Sequence, residues 1–166
     1  MRWVDISLAF PFELLALSIV AVTGPSLTIV VIVLSLRIWV VYARVVRGST
    51  LSIREKDYIN GAKAVGAGEV RILARYVLPN VLTPVLVVST LYIGRMILIE
   101  SSLSFLGIGV PATTPTWGGI LGDGRAYIDT AWWIAFFPGL AIMITVLSVN
   151  LLGDWLRDYF DPKIDI

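Results

Sequence analysis

Long apolar runs separated by short polar stretches dominate the chain. Four stretches contain no Asp, Glu, Lys or Arg: residues 14–36, 76–94, 101–122 and 130–153. A helix of about 20 apolar residues crosses a hydrocarbon core about 30 Å thick, so runs of this length predict membrane-spanning helices. The pattern therefore predicts an all-α, polytopic membrane protein.

Turn signals divide these runs into four predicted transmembrane helices within a single domain, residues 1–166. The motif Thr23-Gly24-Pro25-Ser26 interrupts the first run, and Ser26 is placed to cap a new helix, so two antiparallel spans are expected there. The predicted spans cover residues 6–22, 27–46, 80–99 and 131–152. Residues 101–122 are uncharged but rich in Gly, Pro, Ser and Thr. They are predicted to form an ordered loop, with a re-entrant path left open, inside an outer loop of residues 101–130.

The distribution of basic residues predicts the orientation of the spans. Seven Lys and Arg residues lie between the second and third spans: Arg44, Arg47, Arg54, Lys56, Lys63, Arg71 and Arg75. The positive-inside rule places this segment in the cytoplasm. With four spans, both termini are then expected in the cytoplasm, and the chain is expected to be a multi-pass protein of the cell membrane.

Composition removes most enzyme chemistry from consideration. The 166 residues are 57% hydrophobic and 15% charged, and they include no Cys and no His. Disulfides, Cys/His zinc sites, thiol nucleophiles and imidazole bases are therefore excluded. No phosphate-binding loop and no basic, aromatic nucleic-acid surface is present. We predict no catalytic residue, no metal site, no cofactor and no nucleic-acid partner.

The cytoplasmic segment, residues 51–78, is too polar to cross a membrane. Its apolar residues recur at helical spacing, which predicts two short helices separated by Gly66-Ala67-Gly68. Small residues leave the first helix open to close approach by another protein. On composition alone, an amphipathic connector lying on anionic lipid is an equal alternative.

This segment resembles a known motif. Asn60-Gly61-Ala62, then Gly66, then Tyr76-Val77-Leu78-Pro79 have the spacing of the EAA loop of ABC-importer permeases. The rest of the chain resembles the dipeptide, oligopeptide and nickel branch, and specifically the second permease of each pair. The matching stretches are Met1-Arg2, Asp5, Ala9-Phe10-Pro11, residues 42–48, 78–80, 100–107 and 115–118, Phe137-Pro138-Gly139, residues 150–158 and Asp161-Pro162.

The resemblance implies a partial type I ABC-importer permease fold with a cytoplasmic EAA-type coupling-helix pair. It implies a transmembrane subunit of an ATP-driven importer for peptides or a related small solute. Implied partners are a second permease subunit in a heterodimer, cytoplasmic ABC ATPase subunits, an extracytoplasmic solute-binding protein and membrane lipid. The residues implied to couple to the ATPase are Asp57, Tyr58, Asn60, Gly61, Ala62, Lys63, Gly66, Leu78 and Pro79.

Two departures from the family pattern bear on function. Asn60 replaces the motif's Glu, and Gly61 replaces its first Ala, which should loosen the helix by roughly 1 kcal/mol. The family's subunit has six spans, whereas this sequence matches from the start of the third. Two alternatives therefore stay open: a truncated, inactive permease remnant, and a small channel or carrier that needs no ATPase.

Charged residues within the predicted spans form two candidate pairs. Glu13 and Arg37 both lie about 17 Å from the Gly24-Pro25 turn at a rise of 1.5 Å per residue, so we predict an ion pair between the first two spans. A structural role is favoured over contact with a transported solute. Arg95 and Glu100, near the outer end of the third span, are expected to snorkel to the interface, with an outer gate as the alternative.

Overall fold

The computed structural model describes residues 2–9 and 11–160, with the backbone alone at residue 160. The described residues form helices and connections without a strand, which confirms the predicted all-α class. The matches at Met1, Phe10 and Asp161-Pro162, and both chain ends, lie outside these residues. The helices are α1 (Arg2–Ala9), α2 (Phe12–Thr23), α3 (Leu27–Arg54), α4 (Asp57–Ala64), α5 (Glu69–Ile72), α6 (Leu78–Phe105), α7 (Trp117–Gly124) and α8 (Trp133–Phe160), with a π-helical turn at Leu73–Val77 and a 3-10 turn at Arg125–Tyr127.

Within the part of the chain that the structure describes, three helices are long and apolar enough to cross a membrane. They are Leu27–Arg54, the continuous helix Glu69–Phe105, and Trp133–Tyr159 within α8. Helices α1 and α2 add a fourth crossing only if they are counted together, because they meet at an angle of 79°. The uninterrupted helix predicted for residues 6–22 is therefore broken. Pro11 explains the break, since proline disfavours helical geometry in the residue before it and has no backbone N–H.

The helix that follows α4 runs through Leu78-Pro79 without stopping. The predicted third span begins at residue 80, after the polar segment 51–78, but one continuous helix extends from Glu69 to Phe105. The turn just before the proline, Leu73–Val77, is π-helical, and the Leu78 N–H bonds to the Leu73 carbonyl. A wider turn makes room for the proline ring, which would otherwise collide with the carbonyl four residues earlier. The helix therefore continues through the proline, and the π-helical turn accommodates the ring.

The α2–α3 hairpin turns at Gly24, which has a positive φ of 79°. The cap predicted at Ser26 is present: its side chain accepts a hydrogen bond from the Ile29 N–H at 3.3 Å. Below this turn, α2, α3 and α6 meet in an apolar cluster of Phe12, Ala16, Val33 and Leu103. The cluster fixes α2 against α3 and against the C-terminal part of α6.

Close backbone approaches hold α7 and α8 against α6. A Cβ added to Gly118 of α7 would collide with the backbone of Ser101 in α6, and one added to Gly153 of α8 would lie 2.8 Å from Thr90 Oγ1. The stretch 101–122, expected to be a loop, thus contains the end of α6 and most of α7. Thr116 starts α7 by accepting a hydrogen bond from the Gly119 N–H at 3.1 Å.

Candidate functional site

Helix α4 is fixed to the transmembrane helices by its apolar side. Ile59 is only 1% exposed, and Ala62 is buried beside it. Both belong to a cluster formed with the end of α3 and with the helix that follows: Ile53, Ile59, Ala62, Ile72, Val77 and Val81. Ala62 is one of the residues predicted to couple to an ATPase. Its side chain is buried against the neighbouring helices, so it holds α4 in place and is not available to a partner. The apolar spacing of residues 59 and 62 was visible in the sequence, but which helices would bury them was not.

The opposite side of α4 is open. Asp57, Tyr58, Asn60, Gly61 and Lys63 are all exposed, and a Cβ added to Gly61 would meet nothing within 4 Å. We call these five residues the α4 face. Its composition combines an acid, a base, an amide, an aromatic ring and a residue without a side chain. A partner surface can approach the backbone closely at Gly61, since no side chain stands in the way.

Gly66 ends α4 through a defined capping motif. Its φ is +82°, a conformation that residues with a Cβ rarely adopt. The Ala67 N–H bonds to the Ala62 carbonyl at 3.0 Å and the Gly66 N–H to the Lys63 carbonyl at 2.9 Å, which is a Schellman arrangement. Gly66 therefore sets the angle between α4 and the next helix, and its role lies in backbone geometry.

Leu78 and Pro79 lie apart from the α4 face. Both are exposed on the continuous helix that begins at Glu69. Tyr76, two residues earlier, contacts Tyr58 of α4 with ring centroids 6.3 Å apart. The residues of the motif therefore have three different roles. Some form the exposed α4 face, Gly66 caps α4, and Pro79 follows the π-helical turn in the next helix.

The structure does not bring Glu13 and Arg37 together. The Arg37 guanidinium lies over the Phe12 ring, 5.4 Å from its centroid, beside a cavity of about 230 Å³. Glu13 instead lines a different cavity between α2 and α6, together with Arg95. Both residues lie at similar distances along the chain from the hairpin turn, but the rotation of α2 decides which helix a side chain faces. Glu13 faces α6 and not α3.

The ion pair that the described residues do form is Asp5–Arg44. Arg44 Nη2 and Asp5 Oδ1 are 3.2 Å apart and join α1 to α3, with both side chains more than half exposed. Both residues belong to the stretches that carried the family resemblance, but sequence spacing alone gave no reason to pair them. The contact ties the bent α1 to the long α3.

Arg95 and Glu100 point to different partners. Arg95 lies 5.5 Å from the Tyr92 ring centroid, and its Nη1 is 3.5 Å from the Tyr92 hydroxyl. Glu100 accepts hydrogen bonds from the buried Ser104 Oγ at 2.7 Å and from Ser101 Oγ at 3.4 Å. Ser104 Oγ also accepts from the Val110 N–H at 3.2 Å. Glu100 therefore holds the loop after α6 in place, a role whose sequence signal is the four-residue spacing to Ser104.

A second cleft opens at this end of the molecule. It has a volume of about 500 Å³ and lies between the α2–α3 turn, the end of α6 and the start of α7. Pro25, Ser104, Thr116 and Asp123 contribute to its walls. The start of α6 lies near α4, and its last residue, Phe105, lines the cleft. The cleft and the α4 face are therefore at opposite ends of α6. The two surfaces lie at the two ends of the helical bundle.

Comparison with known proteins gives a consistent result along the whole chain. A family model described as "Binding-protein-dependent transport system inner membrane component" matches residues 1–166. A Brucella suis protein named as a peptide transport system permease protein is 47% identical over 166 residues, which are 100% of this chain and 56% of that protein. A di/tripeptide transport system permease protein of Pseudomonas aeruginosa is 43% identical over 164 residues, 99% of this chain and 54% of its own length. A glutathione transport system permease protein of Escherichia coli is 44% identical over 164 residues, with the same coverage of 99% and 54%.

The chain spans about half the length of these curated relatives. The family match nevertheless covers every residue of it, and the helices long enough to cross a membrane agree with a membrane component. Together with the EAA-type spacing around α4, these findings identify the chain as a member of the family of binding-protein-dependent transport system inner membrane components.

Proposed function

We propose that this chain acts as a transmembrane subunit of an ATP-driven importer for short peptides. In this proposal α4 is the element on which a cytoplasmic ABC ATPase acts. A second permease subunit completes the pathway, and an extracytoplasmic binding protein delivers the solute. The orientation proposed places the α4 end of the bundle, both termini and the basic residues around α4 in the cytoplasm.

The observation that carries the proposal is that α4 is buried on one side and exposed on the other. Ile59 and Ala62 fix one side to the ends of two long helices, while the α4 face is open. A force applied to the α4 face would be transmitted to α3 and α6, because tightly packed side chains resist compression. A connector lying on lipid would place apolar residues toward the membrane, but the fully buried Ile59 lies within the protein.

The α4 face also suits a protein partner where it departs from the family motif. Asn60 offers an amide in place of a carboxylate, so the contact at this position would rest on hydrogen bonds. Asp57 is also exposed on the same face and supplies a negative charge. We infer that Asp57 takes over the charged contact that the motif's Glu would make.

Peptides are the proposed solute because all three relatives carry names of peptide, di/tripeptide or glutathione transport systems. The proposal does not need this chain to bind or hydrolyse ATP. It needs the α4 face to accept a protein whose movement depends on ATP.

A steric test separates docking from folding. Gly61→Trp places a large ring where this chain leaves open space, so the chain should still fold and insert. The ring should block a partner that approaches the backbone closely. We expect the ATPase to be lost on copurification, and peptide-stimulated ATP hydrolysis to fall to the background rate.

Gly48→Trp is the matched control. Gly48 is also helical and exposed, and a Cβ there also meets nothing within 4 Å, but it lies on α3 outside the α4 face. This variant should retain the ATPase. If Gly61→Trp retains stimulated ATP hydrolysis at the level of the control, α4 is not the docking element. Solute flux without any ATPase would favour the channel or carrier alternative.

A further inference from the structure

The cavity between α2 and α6 has one acidic and one basic side chain in walls that are apolar apart from Ser102. Its volume is about 580 Å³, within the roughly 300–1,000 Å³ range of small-ligand pockets. Glu13 lies in the first turn of α2, and Arg95 lies on the C-terminal half of α6; both line the cavity. The remaining wall residues are Phe12, Leu14, Leu17, Leu98, Ile99, Ser102, Leu103, Leu106 and Ile108.

We propose that this cavity binds a short zwitterionic peptide, with its ammonium group at Glu13 and its carboxylate at Arg95. The inference rests on the proposed function and deepens it by naming the residues that contact the solute within the membrane.

The presence of charged side chains within the predicted spans needs a physical explanation. Glu13 and Arg95 lie on helices whose flanking residues are apolar, and an isolated charge within a bilayer is costly. The structure joins neither residue to an oppositely charged side chain among the described residues. Ionisable residues within transmembrane helices commonly mark a solute or ion path. The two side chains face one cavity, so a ligand that carries both charges can satisfy them together.

The nearest contacts of Arg95 hold it in place without neutralising it. Tyr92 lies one turn earlier on α6 and offers the guanidinium its ring face and its hydroxyl. These contacts leave the positive charge available for a carboxylate, which Arg binds through two parallel N–H groups. Glu13 has carboxylate oxygens that accept hydrogen bonds from an ammonium group.

The dimensions and the apolar walls indicate a peptide rather than a single ion. An extended dipeptide spans about 7 Å at 3.3–3.6 Å per residue, so its ends can reach two sides of a pocket this large. Its side chains would contact the Leu and Ile residues of the wall. A simple inorganic ion would leave one of the two charges without a partner.

The test uses a cysteine reporter, since the chain has no Cys of its own. Ser102→Cys introduces a thiol on the cavity wall with little change in size. The variant is assembled with its partner subunits in phosphatidylglycerol nanodiscs, without the binding protein, and its ATP hydrolysis is measured first. The rate of thiol alkylation by N-ethylmaleimide is then followed against the concentration of dialanine. Dialanine should slow the alkylation, whereas N-acetyl-dialanine amide, which lacks both charges, should not.

Neutralising either charge should weaken the protection. In the Ser102→Cys background, Glu13→Gln and Arg95→Gln should each need about tenfold more dialanine for half-protection, because hydrogen bonds to charged groups are the strong ones. Asp129→Asn and Arg125→Gln are matched controls, since both residues are exposed in the loop after α7 and away from the cavity. These two variants should leave the half-protecting concentration unchanged.

Several results would overturn the inference. Equal protection by the capped peptide would show an apolar slot without charge recognition. Protection that survives both neutralising variants would place dialanine elsewhere. Slow alkylation that appears only when phosphatidylethanolamine is added would assign the cavity to a zwitterionic lipid. If dialanine gives no protection while ATP hydrolysis stays coupled, this inference fails and the proposed function stands. If the ATPase does not assemble, the proposed function itself fails.

Discussion

The hydroxyl of Tyr42 on α3 donates a hydrogen bond to Ser89 Oγ on α6 at 3.0 Å. Ser89 Oγ donates in turn to the Val85 carbonyl at 2.7 Å, so its position on α6 is fixed. The bond joins the two long helices that flank α4, partway along their length. A force applied at α4 reaches two helices that are already tied together.

We predict that this bond has a measurable coupling energy. Tyr42→Phe and Ser89→Ala should each destabilise the fold, and the double-mutant cycle should give about 0.6–1.7 kcal/mol, the range found for hydrogen bonds between membrane helices. Unfolding in mixed detergent micelles is the measurement. Tyr92→Phe combined with Ser89→Ala is the control, because the Tyr92 hydroxyl accepts its hydrogen bond from Arg95 and not from Ser89. A coupling near zero for Tyr42 and Ser89 would contradict the prediction.

Truncating the anchor of α4 should separate insertion from coupling. Ile59→Ala removes a fully buried side chain and should destabilise the packing of α4 by about 2–5 kcal/mol. Amide hydrogen exchange in residues 57–64 should rise, and solute-stimulated ATP hydrolysis should fall, while the chain still inserts. Val65→Ala is the control, because Val65 is 86% exposed and its loss should change little. Equal effects of the two substitutions would show that α4 is not held by this cluster.

Glycine substitutions should rank according to what a new Cβ meets. Gly118→Ala should destabilise the protein by about 1–3 kcal/mol, because the methyl group would collide with the Ser101 backbone, which no rotamer change can relieve. Gly94→Ala should cost less, since the nearest atom is Asn150 Oδ1 at the end of a side chain that can rotate. Gly48→Ala meets open space and should stabilise its helix by up to about 1 kcal/mol. Thermal unfolding in detergent gives the order, and a Gly118→Ala variant as stable as Gly48→Ala would refute the close packing of α7 on α6.

Removing the Ser104 hydroxyl should loosen the loop after α6. Ser104→Ala deletes the bonds to Glu100 and to the Val110 N–H, so the Val110 amide should exchange with solvent faster. The expected loss is about 1 kcal/mol for a hydrogen bond within the protein. Ser102→Ala is the control, since Ser102 bonds only to its own helix, at the Leu98 carbonyl. Unchanged exchange at Val110 would show that Ser104 does not hold the loop.

Some of the architecture follows from local sequence patterns. The apolar runs predict membrane-length helices, Ser26 predicts a cap, and Gly66 marks the end of α4, because these features depend on residues close together in the chain. The prolines predicted less reliably where a helix would break. Pro11 interrupts a run that we predicted as one helix, whereas Pro79 sits inside a continuous one. A proline shows where helix hydrogen bonding must change, but whether the helix breaks or widens depends on its neighbours.

The sequence by itself determined the membrane-length helices, the family, and the distances along the chain of Glu13 and Arg37 from the turn between their helices. Only the tertiary structure decided which charges face each other. Distance from a turn follows from counting residues along a helix, whereas facing depends on how each helix rotates about its axis when its apolar side packs. That rotation is set by contacts between residues far apart in sequence, such as Phe12 with Leu103. It turned Glu13 away from Arg37 and toward Arg95.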